Sequence, residues 1–142
     1  MAYVHPSREE IKRILTESRT IAVVGLSDDP SKTSHMVSEA MQRKGYRIIP
    51  VNPNASEILG EKAYASLKDI PEPVDIVNVF RRPEHTPPIA REAAEIGAKT
   101  LWLQLGILNE EAGEIASGGG LNVIMDRCIK VEDSILLPNG KA

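Results

Sequence analysis

The chain has 142 residues, a formal net charge of −3 and a hydrophobic fraction of 42%. These values suit one globular domain and exclude a disordered chain, a collagen-like repeat and a coiled coil. The acidic balance disfavours nucleic acid as a partner, and one cysteine permits neither an internal disulfide nor a cysteine-rich metal site. No apolar run approaches the ~18 residues of a membrane span, and the polar N-terminus is unlike a secretory signal. We therefore expect a single cytoplasmic domain over residues 1–142 that makes no membrane contact.

Apolar, β-branched runs predict five strands, and segments with helical spacing stand between them. Ser7 and Glu10 have the spacing of a capping box at the first helix, and Asn109 is placed as the N-cap of a later one. In chain order, the predicted elements are a helix over 7–18, a strand over 20–25, a helix over 31–44, a strand over 46–51, a turn at 52–54, an extended piece at 63–64, a helical turn at 66–70, a strand over 74–80, a helix over 86–96, a strand over 100–105, a helix over 109–116, a strand over 121–125 and a short helix near 131–134.

This alternation predicts an α/β fold: a Rossmann-like, doubly wound, mostly parallel five-stranded sheet with helices on both faces. Such sheets bind ligands beyond the carboxyl ends of their strands, where the strand order reverses. We therefore expect the functional site in the loops that follow the first four strands, at residues 25–32, 52–54, 80–83 and 104–108.

The loop after the first strand has the features of a phosphate-binding turn. Gly25 permits close approach to the backbone, and Ser27, Ser31 and Lys32 offer donors. The loop leads into a helix N-terminus, whose unpaired amides and partial positive charge attract anions. The alternative is a plain turn between strand and helix, with Ser31 as the N-cap.

The usual sequence pattern for binding NAD is incomplete. No G-x-G-x-x-G motif is present, and Gly25 alone remains of it. The acidic residue that normally ends the second strand and holds a ribose diol is replaced by Asn52. An asparagine can bond a hydroxyl group without repelling a nearby phosphate. The pattern disfavours NAD and is compatible with a ligand that carries a phosphate near its adenosine ribose.

Polar and basic residues also follow the third and fourth strands. Arg81 and Arg82 suit phosphate oxygens and can stack on adenine, and we expect one to face the ligand and the other to face water. Phe80 lies either against a base or over the core. Gln104, near the end of a buried strand, needs a polar partner, which is either a ligand or neighbouring backbone. Gly106 again permits close approach to the backbone.

The single cysteine follows the fifth strand. Cys128 stands between the basic residues Arg127 and Lys130, which permits a reactive thiol, and a packed, inert thiol is the alternative. A nucleophilic thiol needs a base, and a metal needs clustered ligands. The sequence offers neither pattern, because its three histidines are scattered at His5, His35 and His85. We therefore predict no metal site and find no catalytic constellation.

Together these loops resemble a known family, the small stand-alone coenzyme A-binding proteins. These are one-domain relatives of the nucleotide-binding domain of the succinyl-CoA synthetase α-subunit. The resemblance covers about residues 7–135 and is carried by residues 21–27, 50–53, 75–81 and 102–106, and by Cys128 with Lys130. It implies a site for coenzyme A or an acyl-CoA. The resemblance implies binding without catalysis, because the synthetase's phosphorylated histidine has no counterpart in this sequence.

The resemblance also implies how the ligand is distributed over the loops. The pyrophosphate would meet the turn at 25–27, the adenosine would lie between 52–54 and 79–81, and the pantetheine arm would follow 104–107. Lys32 or Arg81 would neutralise the ribose 3′-phosphate. The implied site residues are Gly25, Leu26, Ser27, Lys32, Asn52, Pro53, Asn54, Val79, Phe80, Arg81, Pro83, Gln104, Gly106 and Ile107.

Three functions remain open at this stage. The first is non-catalytic binding of coenzyme A or an acyl-CoA. The second is an enzyme or enzyme subunit, either NAD-linked or of the acyl-CoA ligase type, which would need a protein partner to supply catalysis. The third is a redox module in which Cys128 forms a mixed disulfide with the coenzyme thiol.

Overall fold

The computed structural model describes residues 5–140. In chain order, the strands are β1 (Thr20–Val24), β2 (Arg47–Val51), β3 (Glu57–Ile58), β4 (Glu61–Lys62), β5 (Ile76–Val79), β6 (Thr100–Leu103) and β7 (Asn122–Ile124). The α-helices are α1 (Arg8–Glu17), α2 (Thr33–Arg43), α3 (Thr86–Glu95), α4 (Glu110–Gly118) and α5 (Ile129–Leu136). Two short 3-10 turns complete the elements, at Leu67–Asp69 and Pro83–His85.

Five strands form one sheet in the order β2-β1-β5-β6-β7, and each neighbouring pair is parallel. The predicted Rossmann-like α/β fold is therefore confirmed. The strand order reverses between β1 and β5, so ligand binding is expected at the carboxyl ends of these two strands. β3 and β4 form a separate antiparallel hairpin that the sequence analysis did not predict.

The helices cover both faces of the sheet, and each face has its own apolar core. One core includes Leu15 of α1, Met41 of α2 and Ile129 of α5. The other includes Ala93 of α3 and Ala116 of α4. The side chains that form both cores have almost no exposed surface. Among residues 5–140, no helix is long and apolar enough to span a membrane.

Capping explains where the helices begin. The capping box between Ser7 and Glu10 starts α1, and the Asn109 side chain accepts the Ala112 amide at the start of α4, both as predicted. The alternative that Ser31 caps α2 is wrong. Lys32 occupies the N-cap and its side chain makes no capping hydrogen bond, while the Ser31 hydroxyl donates to the Asp29 carboxylate at 2.8 Å.

Helix α5 is longer than predicted because a buried acid anchors it. Asp133 is almost fully buried, and its carboxylate accepts from the Lys44 ammonium at 2.9 Å and from the Tyr46 hydroxyl at 2.7 Å. Burial, followed by this hydrogen bond to Asp133, raises the pKa of Tyr46. The contacts join α5 to the C-terminal end of α2 and to the residue before β2.

Asp75 ties together the amino ends of three strands. Its Oδ2 accepts the backbone N–H groups of Arg19 at 2.8 Å and Thr20 at 3.1 Å, and its Oδ1 lies 3.6 Å from the Lys99 ammonium. Burial raises the pKa of Asp75, but these hydrogen bonds and the Lys99 charge outweigh it, so the net shift is downward.

We expect Asp75→Asn to lower the free energy of unfolding by about 1–2 kcal/mol at neutral pH, because charge-assisted hydrogen bonds become neutral ones. The folded-state pKa lies below the unfolded value of ~3.9, so the carboxylate's contribution is complete above about pH 4 and disappears as the pH falls through the folded-state pKa. Urea unfolding from pH 3 to 7 tests this. The two proteins should converge in acid, and a constant difference at every pH would contradict the assignment.

Candidate functional site

Gly25 lies where the carboxyl ends of three strands meet. Its N–H donates to the Val51 carbonyl at 3.1 Å, and the Phe80 N–H donates to the Val24 carbonyl at 2.9 Å. Gly25 has a φ of +88°, and a Cβ added here would lie 2.7 Å from the Phe80 carbonyl oxygen. The glycine is therefore required by the close packing of its own chain, a reason that the sequence alone did not reveal.

The loop from Gly25 to α2 is held by its own hydroxyl groups. The Ser27 N–H donates to the Ser34 hydroxyl oxygen, and the Asp29 N–H donates to the Ser27 hydroxyl oxygen, both at 3.0 Å. The Asp29 carboxylate accepts both the N–H and the hydroxyl of Ser31, and this pair of bonds lowers the pKa of Asp29. Lys32 is exposed at the start of the helix. The predicted donors Ser27 and Ser31 thus shape the loop.

Asn52 fastens the second loop to the first. Its side-chain amide donates to the Leu26 carbonyl at 2.9 Å, and its side-chain oxygen accepts the Asn54 N–H at 2.8 Å. The Leu26 side chain is fully buried, so contact between this residue and a ligand is limited to its backbone. Pro53 and Asn54 are exposed at the rim. These two hydrogen bonds give Asn52 a structural role that does not require contact with a ribose hydroxyl.

The predicted need of Gln104 for a polar partner is met by a neighbouring strand. The Gln104 side-chain amide donates to the Asn78 side-chain oxygen at 2.6 Å, and both residues are buried. The partner of this amide nitrogen is thus a side chain of the neighbouring strand. Asn78 is a polar residue in the middle of a predicted buried strand, and that position was the signal that could have revealed the pair.

A cavity of about 310 Å³, termed the larger cavity, opens beside this pair. Its lining combines residues from two of the predicted loops with the first residue of α2 and the single cysteine: Thr33, Phe80, Gln104, Leu105, Ile107 and Cys128. None of these residues carries a charged side chain under ordinary conditions. Thr33 is the first residue of α2, so the larger cavity meets the uncapped end of that helix.

A second cavity of about 120 Å³, termed the smaller cavity, is lined by Val24, Val51, Ala65, Ser66, Leu67, Arg81, Ile89 and Glu92. Val24 and Val51 belong to the core under α3 and α4, whereas Phe80 packs against the opposite core. The two cavities therefore lie toward opposite faces of the sheet. Arg81 lines the smaller cavity, and its Cδ lies 3.0 Å from the position of a Gly25 Cβ.

Val79, Arg82 and Pro83 are not among the residues that line these two cavities. Val79 is fully buried, and Arg82 is exposed beside the 3-10 turn. The Pro83 carbonyl accepts from the Thr86 hydroxyl at 2.7 Å and from the Asn109 side-chain amide at 2.9 Å. Of the two arginines, Arg81 is thus the one that lines a cavity.

Asp126 is a site residue that sequence reasoning missed. It follows β7 with a φ of +57°, a conformation that aspartate tolerates better than most side chains. Its carboxylate accepts the Gly106 N–H at 2.7 Å and so holds the loop at 104–107 in place. The available signal was an acidic residue directly after the last strand of a parallel sheet.

Residues 19–134 match the model of a family described as the CoA binding domain. The chain belongs to this family. It is 56% identical over 131 residues to YneT, an uncharacterized protein of Bacillus subtilis (strain 168), and the match covers 92% of this chain and 97% of YneT. The coenzyme A-binding resemblance is therefore confirmed at the level of the family.

The CoA-binding domain also occurs within larger proteins. The chain is 30% identical over 124 residues to the acetate–CoA ligase (ADP-forming) II subunit alpha of Pyrococcus furiosus, a match that covers 80% of this chain and 27% of that subunit. A hypothetical protein from Pyrococcus horikoshii OT3 has a similar structure, with a TM-score of 0.90, 35% identity, and coverage of 96% of this chain and 99% of that one. The fold thus exists both alone and as about a quarter of a ligase subunit.

Proposed function

We propose that this CoA-binding domain protein binds coenzyme A or an acyl-CoA at the carboxyl ends of β1, β5 and β6 without catalysing a reaction by itself. The observation that carries the proposal is a pair of cavities lined by residues at the carboxyl ends of the strands, Val24 and Arg81 in the smaller one and Phe80 and Gln104 in the larger one, where the strand order reverses. Coenzyme A has a charged nucleotide end and a neutral pantetheine arm. The smaller cavity, which carries the charged side chains of Arg81 and Glu92, suits the nucleotide end, and the uncharged larger cavity suits the pantetheine arm.

The N-terminus of α2 suits the pyrophosphate that joins them. Helices α1 and α4 begin with a side-chain cap and with acidic residues in the first turn. Helix α2 has neither, so its first amides and its partial positive charge are available to an anion. Lys32 adds a full positive charge at the same end. The pyrophosphate would thus lie between the loop at 25–27 and the start of α2.

The smaller cavity suits the adenosine part. Val24, Val51 and Ile89 supply aliphatic contacts for the base, and the planar guanidinium of Arg81 can stack on a ring or pair with phosphate oxygens. Lys32 and Arg81 are the candidate partners of the ribose 3′-phosphate. NAD lacks this phosphate, and no carboxylate follows β2 to hold its ribose diol.

Thermal unfolding with coenzyme A, dephospho-coenzyme A, NAD and ATP side by side tests the proposal. A ligand at ~100 times its Kd stabilises the native state by about 2.7 kcal/mol, which raises the melting temperature by roughly 8 °C in a domain of this size. We expect that shift for coenzyme A and a smaller one for the dephospho form at equal concentration. A shift with NAD alone would contradict the proposal and favour an NAD-linked enzyme.

A ligase-type role with a partner is the enzymatic alternative, because the Pyrococcus furiosus relative is named as a subunit and this chain spans 27% of its length. We propose binding rather than catalysis for the chain alone, in the cytoplasm. Acyl-CoA formation from an acid, coenzyme A and ATP by the purified chain would contradict this. Activity that appears only with a co-purifying protein would support the alternative.

A redox role is the second candidate, because Cys128 is half-buried and lines the larger cavity. A pantetheine arm in that cavity would bring its sulfur toward the Cys128 thiol. With coenzyme A disulfide as the oxidant, the Cys128 thiolate attacks one sulfur and forms a mixed disulfide. One coenzyme A leaves as a thiolate and takes up a proton.

Intact mass spectrometry after treatment with coenzyme A disulfide tests this role. We expect addition of one coenzyme A to the wild type and none to Cys128→Ser, with slower modification by oxidised glutathione, which lacks the nucleotide. An unmodified wild type would rule the role out. Equal rates with both disulfides would show an accessible thiol without a binding site.

A further inference from the structure

The larger cavity has a lining that suits an aliphatic group. Phe80, Leu105 and Ile107 supply apolar side chains, and the amide nitrogen of the buried Gln104 is already bonded to Asn78. Its volume of about 310 Å³ is within the usual range for small-molecule pockets. The lining therefore offers van der Waals contact and little hydrogen bonding.

The loop at the mouth of the larger cavity exposes large aliphatic side chains. Leu105 is 69% exposed and Leu108 is 57% exposed, and Ile107 between them is half-buried against the cavity. One exposed leucine is ordinary on a protein surface. Two in one four-residue stretch, beside an uncharged cavity, form an apolar rim that a ligand would cover.

This loop is held open rather than collapsed over the cavity. The Ile107 N–H donates to the Gln104 carbonyl at 2.9 Å, which forms a turn. The Gly106 N–H donates to Asp126 at 2.7 Å, which fastens the turn to the segment after β7. A rim that is fixed before binding loses less conformational entropy when a ligand covers it.

The charges near the cavity disfavour an acidic acyl group. Among residues 5–140, no lysine or arginine side chain lines the larger cavity, and the Asp126 carboxylate is fastened to its rim. A dicarboxylic acyl group that reached the rim would bring a second carboxylate close to Asp126 and lose hydration there, with no basic side chain in the lining to compensate.

We propose that the protein takes acyl-CoA thioesters with an uncharged aliphatic acyl chain, and that the larger cavity with its Leu105–Leu108 rim contacts this chain. The inference rests on the proposed binding of coenzyme A and adds the class of acyl group. The thioester then lies near Gln104 and Cys128, and the acyl chain is directed toward the rim.

Calorimetric titration with coenzyme A and its acetyl, butyryl, hexanoyl and succinyl thioesters tests the inference. We expect affinity to rise by about three- to fourfold for each methylene that becomes buried, and succinyl-CoA to bind no more tightly than coenzyme A. Equal affinity for all five ligands, or tightest binding of succinyl-CoA, would overturn the inference and leave coenzyme A binding intact. No binding of any of them would remove both proposals.

Two variants test whether the acyl chain contacts the Leu105–Leu108 rim. Leu105→Ser should weaken hexanoyl-CoA by about tenfold, because burial of one leucine side chain is lost, and this loss should exceed the loss for free coenzyme A, which has no acyl chain. Val131→Ser is the matched control, since Val131 is 49% exposed on α5 and does not line the cavity. Both sites are exposed, and thermal unfolding confirms that each variant is folded. An unchanged affinity of Leu105→Ser for hexanoyl-CoA would show that the acyl chain lies away from Leu105 and would overturn the inference.

Discussion

Gly25→Ala is expected to lower the free energy of unfolding by about 2–5 kcal/mol and to abolish coenzyme A binding. A φ of +88° costs a non-glycine residue roughly 1–2 kcal/mol, and the added Cβ would meet the Phe80 carbonyl oxygen at 2.7 Å. That oxygen is backbone, so relief requires β1 and β5 to separate, at about 1–3 kcal/mol more. Urea unfolding measures the loss, and calorimetry measures the binding.

Gly97→Ala is the matched control for Gly25→Ala. Gly97 has a φ of +74°, and a Cβ added there would meet nothing within 4 Å. The control isolates the cost of the backbone conformation, about 1–2 kcal/mol, and Gly97 lines neither cavity. Equal losses in the two variants would contradict the close contact between Gly25 and Phe80.

Arg81→Ala is expected to weaken coenzyme A by roughly 1–3 kcal/mol, which is about 5- to 150-fold, because a charge-assisted bond to phosphate is lost. The loss should be smaller for dephospho-coenzyme A if Arg81 meets the 3′-phosphate. Calorimetry with both ligands measures the difference.

Arg82→Ala provides the comparison, since Arg82 is the adjacent exposed arginine and lines neither cavity. Its affinity for coenzyme A should match that of the wild type. Unchanged binding by Arg81→Ala would indicate that Lys32 or Arg82, rather than Arg81, neutralises the phosphate. The smaller cavity would then lose its assigned part in nucleotide binding.

The fold could be predicted because its signals are local. Each strand of the sheet is a short apolar run, and the caps at Ser7 and Asn109 mark two helix starts. The β3–β4 hairpin was not predicted, because its strands have two residues each. Its turn residue Leu59 adopts a φ of +56°, and asparagine or glycine at this position would have indicated a hairpin turn. Helix α5 was predicted over 131–134 and extends two residues further at each end, where no side-chain cap marks its start.

The site was predicted in outline and not in its contacts. Loops at the strand ends follow from topology, so the sequence placed Phe80 and Gln104 at the strand ends, where both line the larger cavity. The partners of Asn52 and Gln104 come from elements 26 residues away along the chain. Leu67 and Ile89, which line the smaller cavity, belong to a 3-10 turn and to α3, and no local sequence pattern marks them as cavity residues.

Chemical-shift mapping of the ¹⁵N-labelled protein with coenzyme A tests the central claim most directly. We expect the largest amide shifts in residues 25–33, 80–83 and 104–107, with smaller ones at 65–67 from the smaller cavity. The amino edge of the sheet, near Lys99 and Asn122, also has a small surface cavity and serves as an internal reference. Shifts concentrated at that edge, or saturable binding that leaves residues 25–33 unperturbed, would contradict the site described above.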